Sequence, residues 1–224
     1  MLKWVLLLVL VVLVAVLVYL RFRPVKEYMV YYINLDHRQD RNKEVLQEMK
    51  KLPRGAIVER VPAVYEKERG HLGCSKSHVN ALKKFIQSGH DTCIIFEDDF
   101  EFVSGGPRRL GNFLNGGFPF DVIMLATNET DARPCENQGF KKVYNAGTTS
   151  GYIVSKEFAP TLLQNFQKGV YHLEQDYESH PVHAIDQYWK NLQPNSRWYS
   201  FDPPCGLQRK SYSDILGGVV DYKL

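Results

Sequence analysis

From Tyr28 onward, short apolar runs rich in β-branched and aromatic residues alternate with segments of helical period, and this alternation leaves few architectures open to the chain. "YMVYYINL" (28–35) reads as a buried first strand. Asp36 then offers an N-cap, and Val45, Leu46, Met49 and Leu52 recur at helical spacing before Pro53. "AIVERVPAV" reads as a second short strand, and Gly73 to Ser88 sets Val79, Leu82, Phe85 and Ile86 on one helical face, with Gly89 as the stop. The "CIIF" strand leads into glycine-rich loops, and "FDVIMLAT" (120–127) is a further buried strand. "GTTSGYIVS" reads as an edge or turn strand before a helix starting near Ser155, "HAIDQYWKNLQ" as a last helix and "RWYSFDPP" as a last strand. The expected class is α/β, a mostly parallel sheet covered by helices on both faces.

The first residues raise a separate question. Trp4 to Leu20 carries no charge; at about 1.5 Å per residue it reaches about 25 Å, near the lower limit for a spanning helix. It ends in Tyr19, Leu20 and Arg21 without an A-x-A cleavage pattern, which favours an uncleaved transmembrane signal-anchor over a secretory signal peptide. The expected organisation is an anchor over 1–20, a basic stalk over 21–27 and one domain over 28–224. Arg21, Arg23 and Lys26 after the span favour a cytoplasmic domain, whereas the sequon Asn128-Glu129-Thr130 is usable only in a lumen. Cys74, Cys93, Cys135 and Cys205 are too irregularly spaced to announce a disulfide framework. The net charge of +3, from mixed signs, leaves no basic footprint for nucleic acid.

Three constellations and one single carboxylate could carry chemistry. In "CIIFEDDFEF" (93–102) an apolar strand runs straight into Glu97, Asp98 and Asp99. Such a cluster is either the point where the chain re-enters solvent or a set of carboxylates delivered to the ligand-binding edge of a sheet, where a divalent metal relieves their repulsion. "NLDHRQDR" (34–41) lies where the first strand meets a helix, a place that suits anions, and Arg38 and Arg41 add bidentate phosphate donors unless they pair locally with Asp36 and Asp40. His71, Cys74 and His78 are spaced for one helical face; a zinc site there needs a further ligand, for which His90 and Cys93 are candidates. Asp186 in "HAIDQYW" is either an exposed helix residue or, facing the acidic strand end, a general base.

The blocks "YINLDHRQDR", "LGCSKSH", "FEDDFEF", "SGYIVS", "AIDQYW" and "PPCGLQRKSYSDI", in that order from about Tyr28 to about Ile215, resemble glycosyltransferase family 25, which includes procollagen and lipooligosaccharide galactosyltransferases. The resemblance implies a GT-A-like sheet, a UDP-sugar donor, and Mn²⁺ or Mg²⁺ held by Glu97, Asp98 and Asp99, of which Glu97 and Asp99 have D-x-D spacing. It further implies that Asn34, Arg38 and Arg41, with Gly73, Ser77 and His78 of the second block, serve the nucleotide, and that Asp186 is the catalytic base. It places the domain in the lumen of the endoplasmic reticulum or Golgi if the source is eukaryotic, as a single-pass type II membrane protein, with a protein, glycan or lipid-linked hydroxyl as acceptor. Where relatives carry "PTH", this chain has Pro203, Pro204 and Cys205, so Gln208, Asp214 or water would complete the metal shell. Two other classes are compatible with the residues: an inactive sugar-binding or scaffold descendant, and a metal-dependent phosphohydrolase.

Overall fold

Every residue of β1 (Tyr28–Asn34) is buried, because the strand lies between two parallel neighbours and has a helical layer on each face. The computed structural model describes residues 3–5, 9–14, 25–215 and 217–220. After β1 come α1 (Gln39–Met49), β2 (Ala56–Pro62), α2 (Gly70–Ser88), β3 (Thr92–Glu97), β4 (Phe100–Phe102), α3 (Gly106–Gly116), β5 (Val122–Met124), β6 (Asn128–Pro134), β7 (Phe140–Gly147) and β8 (Gly151–Ser155). They are followed by α4 (Ala159–Gln175), the single turns α5 (His180–His183) and α6 (Ile185–Tyr188), β9 (Trp198–Phe201), and the short strands β10 (Gly206–Gln208), β11 (Ser211–Ser213) and β12 (Gly218–Val220).

Eight strands form one sheet in the order β2-β1-β3-β8-β5-β9-β7-β6. Strand alternation divides β1 between two cores. Met29, Tyr31 and Ile33 pack with Leu82 and Phe85 of α2, Phe166 of α4, and Trp189. Tyr28, Val30 and Tyr32 pack on the other face with Val45 and Met49 of α1 and with Leu110 and Phe113 of α3. The expected α/β class and the two helical layers are therefore present.

The expected parallel character is only partly met. The pairs β2·β1, β1·β3 and β5·β9 are parallel, whereas β3·β8, β8·β5, β9·β7 and β7·β6 are antiparallel, so the sheet is mixed. Nor is β8 an edge or turn strand; it runs buried through the middle of the sheet. Gly151 serves close packing rather than a turn, since a Cβ there would lie 2.7 Å from the Phe100 ring. The glycine-rich stretch after β4 likewise contains a helix, α3, with Pro at its start and Leu110 and Phe113 buried. Gly106 lets α3 approach the chain after β9, because a Cβ would meet the Cys205 carbonyl oxygen at 2.0 Å. The expected last helix is broken at Ala184, whose ψ of 148° is extended, and Asp186 falls in the first turn of α6. Ser155 does mark the approach to α4, its hydroxyl accepting from the Phe158 amide at 3.2 Å, although the helix begins at Ala159.

Of the expected anchor, residues 3–5 and 9–14 are helical and exposed, and the rest, with residues 21–24 of the stalk, lies outside the described residues. Among the described residues no helix is long and apolar enough to cross a membrane. Cys74, Cys93, Cys135 and Cys205 are all free thiols.

Candidate functional site

Parallel register brings the first and third sequence blocks together. Ile33 of β1 stands beside Glu97 of β3, so the next residues, Asn34 and Asp98, meet at the carboxyl edge of the sheet. Asn34 donates to Asp98 Oδ2 at 2.7 Å and to the Arg38 carbonyl at 3.1 Å. Its own side-chain and main-chain oxygens are held by Arg60, which also pairs with Asp36.

The three acidic side chains differ in their surroundings. Asp98 is saturated, with Oδ1 on Arg41 at 2.7 Å and Oδ2 on Asn34. Asp99 Oδ2 accepts from Arg41 at 3.1 Å and from Gln208 at 3.2 Å, but among the described residues its buried Oδ1 has no hydrogen-bond partner. Glu97 Oε1 accepts from Thr149 and lies 3.3 Å from Nε2 of the buried His78, whose Nδ1 is 3.0 Å from the Tyr152 hydroxyl.

Arg41 is thus the guanidinium shared by two buried carboxylates, and the cluster holds more negative charge than it neutralises. Burial and the charge of Glu97 push Asp99 up to about 7 against the pull of Arg41, and burial also raises Asp98. Burial alone would raise Glu97 too, but its bonds from His78 and Thr149 hold it below the usual carboxylate range. An unpartnered carboxylate oxygen in such a cluster is a hard donor suited to a cation such as Mn²⁺ or Mg²⁺. Glu97 and Asp99 fit that role; Asp98, with both oxygens engaged, serves as an internal brace.

Two cavities meet at this cluster. The first is lined by Asn34, Arg41, the 63–66 loop, Ser77, His78 and the three acids, with Ser213, Asp214 and Ile215 along its other side. The second is lined by His71, Asn128, Thr148, Thr149 and Asp186. Cys74, Glu97, Gln208 and Ile215 belong to both. Asp186, half-buried in α6, lines the second cavity together with Glu97 of the acidic strand end. Gly147 lies beside Asp186, where even a Cβ would stand 3.5 Å from Asp186 Oδ2, an ordinary contact.

The other expected residues occupy more varied positions. Ser77 lines the first cavity and also builds it: its hydroxyl accepts from the Val64 amide at 2.8 Å and donates to the Gly73 carbonyl at 2.7 Å. Gly73 does not line either cavity. It lets α2 press against the 63–66 loop, because a Cβ there would lie 2.5 Å from the Val64 carbonyl oxygen. Arg38 pairs with Asp40 and Asp214 and donates to the Tyr212 carbonyl, fastening the β11–β12 hairpin beside the first cavity. Asp214 is thereby engaged, and Gln208 meets Asp99 through its amide NH₂ rather than through an oxygen.

Sequence reading missed Thr149, Gln208 in its bracing role, and Ser211, which accepts from Arg41. Thr148 carried a latent signal. It has a positive φ of 62°, costly for a β-branched residue, and its hydroxyl donates to Gln208 while the next residue reaches Glu97. The histidine and cysteine group also differs from expectation. His71 stacks on His180 with ring centroids 4.5 Å apart, His90 and Cys93 lie elsewhere, and Cys74 and His78 are joined instead by Glu97. Asn128 of the sequon is exposed and stands on the wall of the second cavity.

No family model matches the chain. Among solved structures, it is similar to a mannose-1-phosphate geranyltransferase from Thermus thermophilus, at 9% identity over 85% of this chain and 76% of that one, with a TM-score of 0.48. A glycosyltransferase involved in glycosylation of the major capsid of PBCV-1 is similar at 12% identity over 84% and 95% of the two chains, with a TM-score of 0.49. The glycosyltransferase GlyE of Streptococcus pneumoniae is similar at 9% identity over 80% of this chain and 46% of that one, with a TM-score of 0.47. At such identities a likeness reaches no further than the course of the backbone.

Proposed function

We propose that the protein is an inverting hexosyltransferase that moves a sugar, galactose in the first instance, from a UDP-sugar to an acceptor hydroxyl on a protein, glycan or lipid-linked sugar. The observation that carries this reading is the pair of cavities meeting at Glu97, with the unpartnered Asp99 oxygen in the cluster and Asp186 across from it. Glu97 and Asp99 would hold Mn²⁺ or Mg²⁺, whose bound charge would favour departure of the nucleoside diphosphate. The first cavity, with main chain of the 63–66 loop and the β1 edge on its wall, would take the nucleotide. Asp186 would hold the acceptor hydroxyl and accept its proton as the oxygen attacks the sugar carbon from the face opposite the diphosphate. Arg41 and Asn34 keep Asp98 fixed, and Thr149 and His78 orient Glu97, so that little reorganisation is needed when the donor arrives.

The resemblance of the sequence blocks to family 25 supports galactose and UDP; the cavities support a donor side and an acceptor side. Residues 1–20 are proposed to anchor the enzyme in the membrane, with the domain facing the lumen in a eukaryote. The test is incubation of the full-length protein with individual UDP-sugars, with Mn²⁺ and a panel of hydroxyl acceptors, reading released UDP and sugar-labelled acceptor. Acceptor-dependent UDP release from UDP-galactose is expected. Release of inorganic phosphate from phosphomonoesters with no sugar transfer would point to a phosphohydrolase, and UDP-sugar binding without turnover to an inactive binder.

A further inference from the structure

Cys74, which lines both cavities, carries a thiol that the proposed chemistry does not use. Cys74 and His78 are four apart on α2 and so lie on one helical face, and Glu97 approaches them from the end of β3. One ligand atom from each, a sulfur, an imidazole nitrogen and a carboxylate oxygen, falls within 4.8 Å of the others. His78 Nε2 and Glu97 Oε1 are 3.3 Å apart. In a tetrahedral site with bonds of about 2.0–2.1 Å, nitrogen and oxygen ligands stand about 3.3 Å from each other. The nitrogen–oxygen pair already stands at that separation, and Cys74 approaches from the same helical face to complete a three-donor set.

We propose that Cys74, His78 and Glu97 form a three-ligand site for a zinc-class divalent cation, with its fourth position open to the shared part of the cavities. The donor set is soft at sulfur and borderline at imidazole, so it selects zinc-like ions rather than magnesium-like ones. Binding replaces the thiol proton of Cys74 with a sulfur–metal bond and releases that proton to solvent. On binding, the ring hydrogen of His78 shifts from Nε2, where it is donated to Glu97, to Nδ1, where it is donated to the Tyr152 oxygen; the Nε2 lone pair then faces the ion and Tyr152 holds the ring in place. Because Glu97 is shared, an ion here withdraws it from the all-oxygen pair with Asp99. This last consequence rests on the proposed function: zinc would inhibit transfer.

Cobalt(II) alone, titrated into the full-length metal-free protein, tests the site without any turnover. The expected result is an intense visible spectrum of tetrahedral cobalt with a near-ultraviolet sulfur-to-cobalt charge-transfer band, displaced by Zn²⁺. The band should vanish in Cys74→Ser and persist in Cys135→Ser. In Tyr152→Phe it should persist with affinity lower by about 10- to 100-fold. Only a weak octahedral spectrum in the wild type, or an undiminished band in Cys74→Ser, would overturn the site. Near-ultraviolet circular dichroism establishes that Cys74→Ser is folded; were it unfolded, the wild-type band and its Tyr152→Phe weakening would decide, and an unweakened band would overturn the assignment of His78. Failure of sugar transfer would leave this spectrum unchanged, and absence of the band would leave the transfer assay standing. Where transfer is seen, the ratio of activities with and without Zn²⁺ should rise in Cys74→Ser toward unity.

Discussion

The two cavities are built in opposite ways although they share Glu97. Around the first, charged groups are bound to one another: Arg41 to Asp98 and Asp99, Arg38 to Asp214 and Arg60 to Asp36. In the second, the Asp186 carboxylate receives, among the described residues, one bond, from the side chain of its neighbour Gln187 at 3.1 Å. The contrast teaches a division of labour. A site for a charged, invariant ligand gains from a frame whose dipoles are fixed in advance. A group that must take a proton from an incoming hydroxyl must keep an oxygen free.

The sharpest way to break this comparison is Asp186→Asn. Loss of a general base should lower kcat by about 10²- to 10⁴-fold and leave UDP affinity nearly unchanged. Turnover measured beside calorimetric titration of UDP in Mn²⁺ checks it, and wild-type turnover in the variant would remove Asp186 from the chemistry.

Arg41→Met attacks the frame itself. It leaves Asp98 and Asp99 buried without their cation, and a loss of about 3–5 kcal/mol of stability is expected. Denaturant unfolding measures the loss. A cation at Glu97 and Asp99 would offset part of it, so added Mn²⁺ should stabilise the variant more than the wild type. Equal shifts would mean that the metal binds elsewhere.

Asp99→Asn separates metal holding from framing. The amide keeps the shape and removes the charge, so folding should be close to wild type while turnover falls by about 10²- to 10³-fold. Metal-dependent UDP binding should weaken with it, unlike in Asp186→Asn. Removing metal from the wild type with EDTA should have the same effect, reversed by Mn²⁺.

The smallest effect expected is that of Gly73→Ala, which sharpens the distinction between lining a cavity and shaping it. Its Cβ would lie 2.5 Å from the Val64 carbonyl, a backbone atom that must shift, at a cost of about 1–3 kcal/mol. The displaced 63–66 loop should raise the UDP-sugar KM more than it lowers kcat. A purely stabilising role would leave KM unmoved.

Much of the parallel half of the sheet was legible in the chain. Its inner strands β1 and β3 are continuous apolar runs, as strands buried on both faces must be, and α1 and α2 carry helical period over most of their length. The antiparallel half was not. Gly151 reads as a turn residue until the Phe100 ring is seen against it, and α3 is hidden among glycines, one of which admits a carbonyl of a distant segment. The acidic cluster was legible as three carboxylates at a strand end, but not the different lot of each. Asp98 became a brace because Asn34 and Arg41 come to it across a parallel register, while Asp99 kept an oxygen free.

Sequence by itself determined which residues are apolar at strand and helix period, where the acids stand relative to β3, and that Cys74 and His78 share a helical face. These are local properties, set by backbone period and side-chain chemistry within a few residues. Tertiary structure alone decided the direction of β8, the break at Ala184 that presents Asp186, and the meeting of Glu97 with Thr149, Cys74 and His78. Those depend on contacts between segments tens of residues apart, where packing volume and the pairing of buried charge outweigh local preference.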